Sequence, residues 1–234
     1  TTIKKRTESA LRLTILIGLP AATGLFLLAA PLTSVIFNNI EAAVPLRFVA
    51  WGVVFITLQQ TSSAILQGIG KTRIPARNLF IGAVINGIIN FTLTGMPRFG
   101  IKGAALGTVA GFGTAAFLNL IYVKYYTRFR IKYKILILKP AAAVLVMGLL
   151  VKIGFKSFLE IFSDFTVYAY SLSTFLIVLT AAAVYFLLLL FLKEIKYSDI
   201  ILIPKLGPPL ADYLKKLGLV GDANGNESTE TGNG

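Results

Sequence analysis

Residues suited to making or breaking bonds are scarce in this sequence. It has no Cys and no His, which removes thiol nucleophiles, imidazole bases, disulfides and nearly all zinc or haem ligation. The acidic residues, Glu8, Glu41, Glu160, Asp164, Glu194, Asp199, Asp212, Asp222, Glu227 and Glu230, are expected in loops or tails, with no carboxylate pair inside an apolar run. The string Gly68-Ile69-Gly70-Lys71-Thr72 ends like a phosphate-binding loop. However, Ile65 stands where the first glycine of that motif belongs, and an apolar helical run precedes it instead of a strand. No catalytic, cofactor-binding or metal site is expected, and the protein is read as not an enzyme.

What the sequence offers instead is hydrogen-bonding side chains placed at helical spacing inside apolar stretches. Thr57, Gln60, Ser63 and Gln67 recur every three or four residues and share one helix face, flanked by Gln59 and Ser62. Gly82, Asn86, Asn90 and Thr94 repeat the pattern at intervals of four. Amides in hydrocarbon are costly without partners, so these residues must face protein or water. Two readings stay open: they bond to neighbouring helices, or they line a wet cavity through which a hydrated solute passes. Gly103, Gly107, Gly111, Ala115 and Asn119 also recur at intervals of four. That is a ridge of small residues suited to close helix packing.

The elements that carry these faces follow from the overall composition. The 234 residues are 56% hydrophobic, with a mean hydropathy of +0.77, too apolar for an ordinary water-soluble domain. A bilayer core of about 30 Å is crossed by about 20 apolar helical residues. Six segments meet that requirement: 13–37, 48–66, 79–95, 103–123, 135–155 and 168–192. Pro20 and Pro31 predict bends in the first. With an even number of spans, five of the 23 basic residues, Arg47, Arg98, Lys102, Lys152 and Lys156, fall on one side and the other 18 on the opposite side. That asymmetry places both termini in the cytoplasm. The net charge of +13 then matches an anionic lipid surface, and no nucleic-acid motif accompanies it. The sequence divides into a basic lead-in (1–12), four helices (13–123), two more (124–192), an interfacial segment (193–220) and a polar tail (221–234) expected to be disordered. The chain opens at Thr1 with a basic stretch, as expected of a domain cut from a longer protein.

The stretch ILQGIGKTRIPARN, with Gln67, Gly68, Gly70, Lys71 and Pro75, resembles the polysaccharide-flippase branch of the multidrug/oligosaccharidyl-lipid/polysaccharide exporter superfamily. GLPAATGLFLLAAPLTSVIF is similar to that family's ninth helix and FGIKGAALGTVAGFGTAAFLNL to its twelfth. The tail IPKLGPPLADYLKKLGL resembles the stage V sporulation protein B group. The resemblance implies an all-α integral membrane fold. This chain would supply helices nine to fourteen of a fourteen-helix, two-lobed transporter, with the preceding helices as its missing partners. It also implies a function: flipping of a lipid-linked oligosaccharide, such as a peptidoglycan precursor or polysaccharide unit, across the bacterial inner membrane by alternating access.

The implied partners are membrane lipids and a lipid-linked sugar diphosphate. Thr57, Gln59, Gln60, Ser63, Gln67, Asn86 and Asn90 would then be the candidate cavity lining. Competing readings are a multidrug or cation antiporter of the same superfamily, a membrane glycosyltransferase or polymerase component, and a non-transporting scaffold. An antiporter would be expected to carry an acidic residue inside a span. A metal-dependent transferase would need carboxylates at the membrane face, where Glu160 and Asp164 form the one nearby pair. Topology is testable in this Cys-free chain with single introduced cysteines. A membrane-impermeant external reagent should label positions near Ser157 and spare those near Lys132, and the reverse pattern would overturn the orientation.

Overall fold

The computed structural model describes residues 2–129, 139–161 and 167–191, with side chains over 2–129, 140–154 and 174–189. All the regular structure among them is helical. The helices are α1 (Thr2–Leu27), α2 (Ala29–Phe37), α3 (Ala43–Gly68), α4 (Arg73–Thr94), α5 (Ile101–Thr127), α6 (Lys139–Ile161) and α7 (Val167–Phe191), and one 3-10 turn (Ile40–Ala42) precedes α3. Thr2–Leu27, Ile40–Gly68, Arg73–Thr94 and Ile101–Thr127 are long and apolar enough to cross a membrane. Pro140–Gly154 and Thr174–Leu189 are shorter apolar stretches within α6 and α7. The four longer segments fall on the first four expected spans, and α6 and α7 overlap the fifth and sixth. The expected interfacial segment and polar tail lie outside the described residues.

Two boundaries differ from the sequence reading. The basic lead-in is the opening of α1, so Lys4, Lys5, Arg6 and Glu8 are helical, and Glu8 is not in a loop. The first span is also two helices in succession. Pro20 lies inside α1 without ending it, whereas the helix breaks at Leu28 (φ −94°, ψ 12°), three residues before Pro31. Pro31 has no N–H to offer the carbonyl of Leu27. Leu28 and Leu32 nevertheless keep the ladder running through bonds of 2.9 Å to Gly24 and Leu28.

The chain divides into residues 1–183 and 184–234. Of the latter, the described part is the last stretch of α7, to Phe191. Within the former, neighbouring helices run in the order α4, α5, α3, α1, α6, so α5 lies between two helices that adjoin each other in sequence. The α4–α5 pair is antiparallel and rests on the small-residue ridge. A Cβ added at Gly82 would collide with the carbonyl oxygen of Gly111, and one added at Gly111 would come within 2.7 Å of the carbonyl oxygen of Gly82. Gly103 meets Leu93 at 2.7 Å in the same sense, and Gly107 meets Asn86 Oδ1 at 2.8 Å. In a membrane, helices gain little from a hydrophobic effect between them, so such close backbone approach supplies much of the attraction. On the other flank Gly52 of α3 admits Val109 of α5, and Gly113 of α5 admits the ring of Phe55 of α3. Gly18 lets α1 close against Thr57 of α3.

At one end of the bundle a small core of Leu11, Leu66, Val123 and Phe129 ties α1, α3 and α5 together. Gly111→Ala should destabilise the chain by about 1–3 kcal/mol, because the new methyl meets rigid backbone. Gly87→Ala, where a Cβ meets nothing within 4 Å, should stabilise it by about 0.5–1 kcal/mol through helix propensity. Thermal unfolding in detergent measures both, and equal effects would refute the ridge contact.

Candidate functional site

The polar residues of α3 divide between a buried set and an exposed set. Gln59 is buried, and its Nε2 donates to Ser63 Oγ at 3.1 Å. Asn119 of α5 donates to the same hydroxyl at 2.9 Å and also approaches the carbonyl of Gln59 at 3.5 Å. Asn78 of α4 donates to Asn119 Oδ1 at 2.9 Å. This node joins α3, α5 and α4 through side chains, and Asn78, Asn119 and Ser62 are each fully buried. Thr57 returns its hydroxyl to the carbonyls of Val53 and Val54, as a helical Thr commonly does. Gln60 and Gln67, by contrast, are exposed on this chain. A step of one residue rotates a side chain by about 100° around a helix, so Gln59 and Gln60 face different surroundings.

On α4, Asn86 lies against Gly107 and Gly111, and its Oδ1 is buried with no hydrogen-bond partner among the described residues. Asn78 Oδ1 is in the same condition. Asn90 is half-buried, and its Oδ1 accepts the Thr94 hydroxyl at 2.8 Å at the exposed end of the stripe. Gly103, Gly107, Gly111 and Ala115 lie along the seam with α4, Ala115 approaching the Cβ position of Gly82 at 3.1 Å. Two node members were not among the candidate lining residues. Asn119 belongs to the small-residue ridge, and Asn78 was legible from the stripe itself, one four-residue step before Gly82.

The loop that carried the resemblance has its own local logic. Gly70 adopts φ +77°, a conformation that costs glycine little. Its N–H bonds to the carbonyl of Gln67 at 2.9 Å, and the N–H of Lys71 reaches back to that of Leu66 at 2.8 Å. These are the paired bonds of a Schellman turn, which satisfies the last carbonyls of α3. Gly68, in the last turn, meets nothing a side chain would touch. Pro75 is buried in the first turn of α4, where its missing N–H costs nothing. The result is a short reversal that sets Lys71 and Arg77 beside the end of α5, with Lys71 Nζ 5.1 Å from the Tyr126 ring and Arg77 donating to the Tyr122 hydroxyl at 2.7 Å.

Among the described residues no group of His, Cys, Asp and Glu could hold a metal ion. The arrangement provides neutral donors and acceptors on helices, some bonded to one another between helices and some exposed.

Comparison with known proteins is consistent with this architecture. Residues 1–92 match the MatE family model. The chain is 34% identical over 122 residues to the uncharacterized membrane protein YabM of Bacillus subtilis, covering 52% of this chain and 23% of that protein. It is 28% identical over 205 residues to Stage V sporulation protein B of the same organism, covering 88% of this chain and 38% of the relative. Against Lipid II flippase MurJ of Bacillus subtilis it is 29% identical over 144 residues, 58% of this chain and 26% of the relative. The chain thus spans less than two fifths of the length of each of these relatives.

The node predicts a graded response. Asn119→Leu removes the partner of both Asn78 and Ser63 and should lower stability by about 0.6–2 kcal/mol for each bond lost. Gln60→Leu, on an exposed position, should leave the melting temperature nearly unchanged. A comparable loss from both variants would contradict the division of the α3 face.

Proposed function

From the premise that this chain belongs to the multidrug/oligosaccharidyl-lipid/polysaccharide exporter superfamily, we propose that it contributes helices to a flippase. Acting with helices outside residues 1–234, it would move a lipid-linked sugar diphosphate across the bacterial inner membrane, with both termini cytoplasmic. The observation that carries this reading is the similarity over 58% of the chain to a protein named for flipping Lipid II. The neutral polar faces of α3 and α4 add a physical rationale.

The opposing barrier is desolvation. A sugar diphosphate carries hydroxyls and charge whose hydration hydrocarbon cannot replace. Side-chain amides can substitute for part of that hydration, because each offers both donors and an acceptor. In this proposal Gln60, Gln67 and Asn90 supply such groups along the path, supported by Thr57, Gln59 and Ser63, while Asn86 stays in the α4–α5 seam against Gly107 and Gly111. The buried node of Gln59, Ser63, Asn78 and Asn119 keeps the α3 and α4 faces in fixed register behind them. The polyprenyl-type tail of the substrate stays in lipid. Alternating access then needs the lobe to move as a unit, which the close α4–α5 seam favours.

The test replaces Gln60, Gln67 and Asn90 together by Leu in the full-length transporter, leaving Asn86 of the α4–α5 seam in place. Flipping of a lipid-linked oligosaccharide in liposomes should fall at least about tenfold, as expected for about 1.4 kcal/mol of lost stabilisation. The protein should remain folded by size-exclusion and thermal assays. Normal flipping by the triple variant would eliminate the proposed path.

A further inference from the structure

The end of the bundle where α3 turns into α4 and α5 terminates carries a second, unrelated set of side chains. Lys71 lies over the Tyr126 ring at 5.1 Å, and the Arg77 guanidinium lies 5.3 Å from the Tyr122 centroid while donating to its hydroxyl at 2.7 Å. Tyr122 and Tyr126 are four residues apart on α5, so two cations are held side by side on one helix face. Tyr125 packs edge-on against Tyr126 at 5.0 Å. Lys71, Arg73, Arg77, Lys124 and Arg128 are all exposed.

Ring faces and a phenol hydroxyl fix a cation in place without cancelling its charge. Carboxylates that could cancel it are scarce here, since the sequence has no Asp or Glu between Glu41 and Glu160. The α1 segment at this end brings Glu8, but with it Lys4, Lys5, Arg6 and Arg12. The field is therefore positive. Below Arg77 the α4 surface is apolar and open: Phe80, Val84 and Ile88 follow at helical spacing and are 70%, 45% and 59% exposed. Tyr residues are typical of the membrane–water boundary, where one end of the ring is dry and the other wet.

Headgroup-seeking cations above a greasy stripe match one ligand class. The geometry points to a binding site for an anionic phospholipid of the surrounding bilayer. Its phosphate would sit between Lys71 and Arg77 and one acyl chain along Phe80, Val84 and Ile88. Gln67 of the proposed solute path opens the same turn that carries Lys71, but the lipid site rests only on Lys71, Arg77 and the outer face of α4 and holds whether or not that proposal does.

The test is native mass spectrometry of the full-length protein in detergent, titrated with phosphatidylglycerol or phosphatidylcholine. Phosphatidylglycerol should bind more tightly, and Lys71→Gln with Arg77→Gln should reduce that preference by about fivefold per cation removed. Arg98→Gln with Lys102→Gln, between α4 and the first turn of α5 at the opposite end, should leave it unchanged, and the charge-keeping pair Lys71→Arg with Arg77→Lys should retain it. Equal binding of the two lipids overturns the proposal. So does an equal loss in both Gln pairs, or a loss in the charge-keeping pair as large as in the neutral one. Competition by millimolar inorganic phosphate would show a free-anion site instead and overturn the lipid assignment.

Discussion

The contact between the backbones of Gly82 and Gly111 is the constraint from which the arrangement of α3, α4 and α5 follows. With no room for even a methyl between them, the two helices are fixed at one depth and one rotation. That register brings Asn78, one four-residue step before Gly82, opposite Asn119, two such steps after Gly111. Asn119 can then reach Ser63 and the Gln59 carbonyl on α3. A slip of one turn, about 5.4 Å, would separate every one of these pairs and leave buried amides without partners. Van der Waals contact sets the geometry, and the Asn78–Asn119 and Asn119–Ser63 bonds give a second reason for that register.

The polar residues of the spans therefore serve more than one physical end. Gln59, Ser63, Asn78 and Asn119 bond to one another within α3 and from α3 through α5 to α4, with only Asn78 Oδ1 of the node left over among the described residues, which makes them a structural core in a setting where apolar contact discriminates poorly. Gln60 and Gln67 are spent on no such partner and present their amides outward. Asn86 and Asn90 fall between: backbone and glycine surround one, while the other bonds within its own helix to Thr94. Under the proposed function this division is useful, because groups that met a solute could exchange partners without loosening those that hold α3, α4 and α5 together.

Helix positions were readable from sequence because hydrocarbon imposes a minimum length and excludes exposed backbone polar groups. The ridge from Gly103 to Ala115 was readable because its period is that of a helix face. Which neighbour each face meets was not. Chain adjacency pairs α3 with α4, whereas α5 lies between them, and no local pattern encodes that insertion. Nor could spacing alone separate Gln59 from Gln60, since the distinction depends on where α5 stands. The break at Leu28 illustrates the same limit. Pro20 and Pro31 are chemically equivalent donor losses, yet one is absorbed inside a continuous helix and the other accompanies its interruption.

The placement of α5 between α3 and α4 also imposes a timetable on synthesis. Asn78 and its partner Asn119 are separated by 41 residues. At about 5–20 residues per second, the ribosome makes Asn119 roughly 2–8 s after Asn78. During that interval α3 and α4 already exist with their amides unmatched. A nascent chain in this condition gains by lingering beside water or an insertion chaperone, rather than releasing each hairpin into lipid as it forms. The node that joins α3, α4 and α5 is therefore complete only once the last of the three has been made.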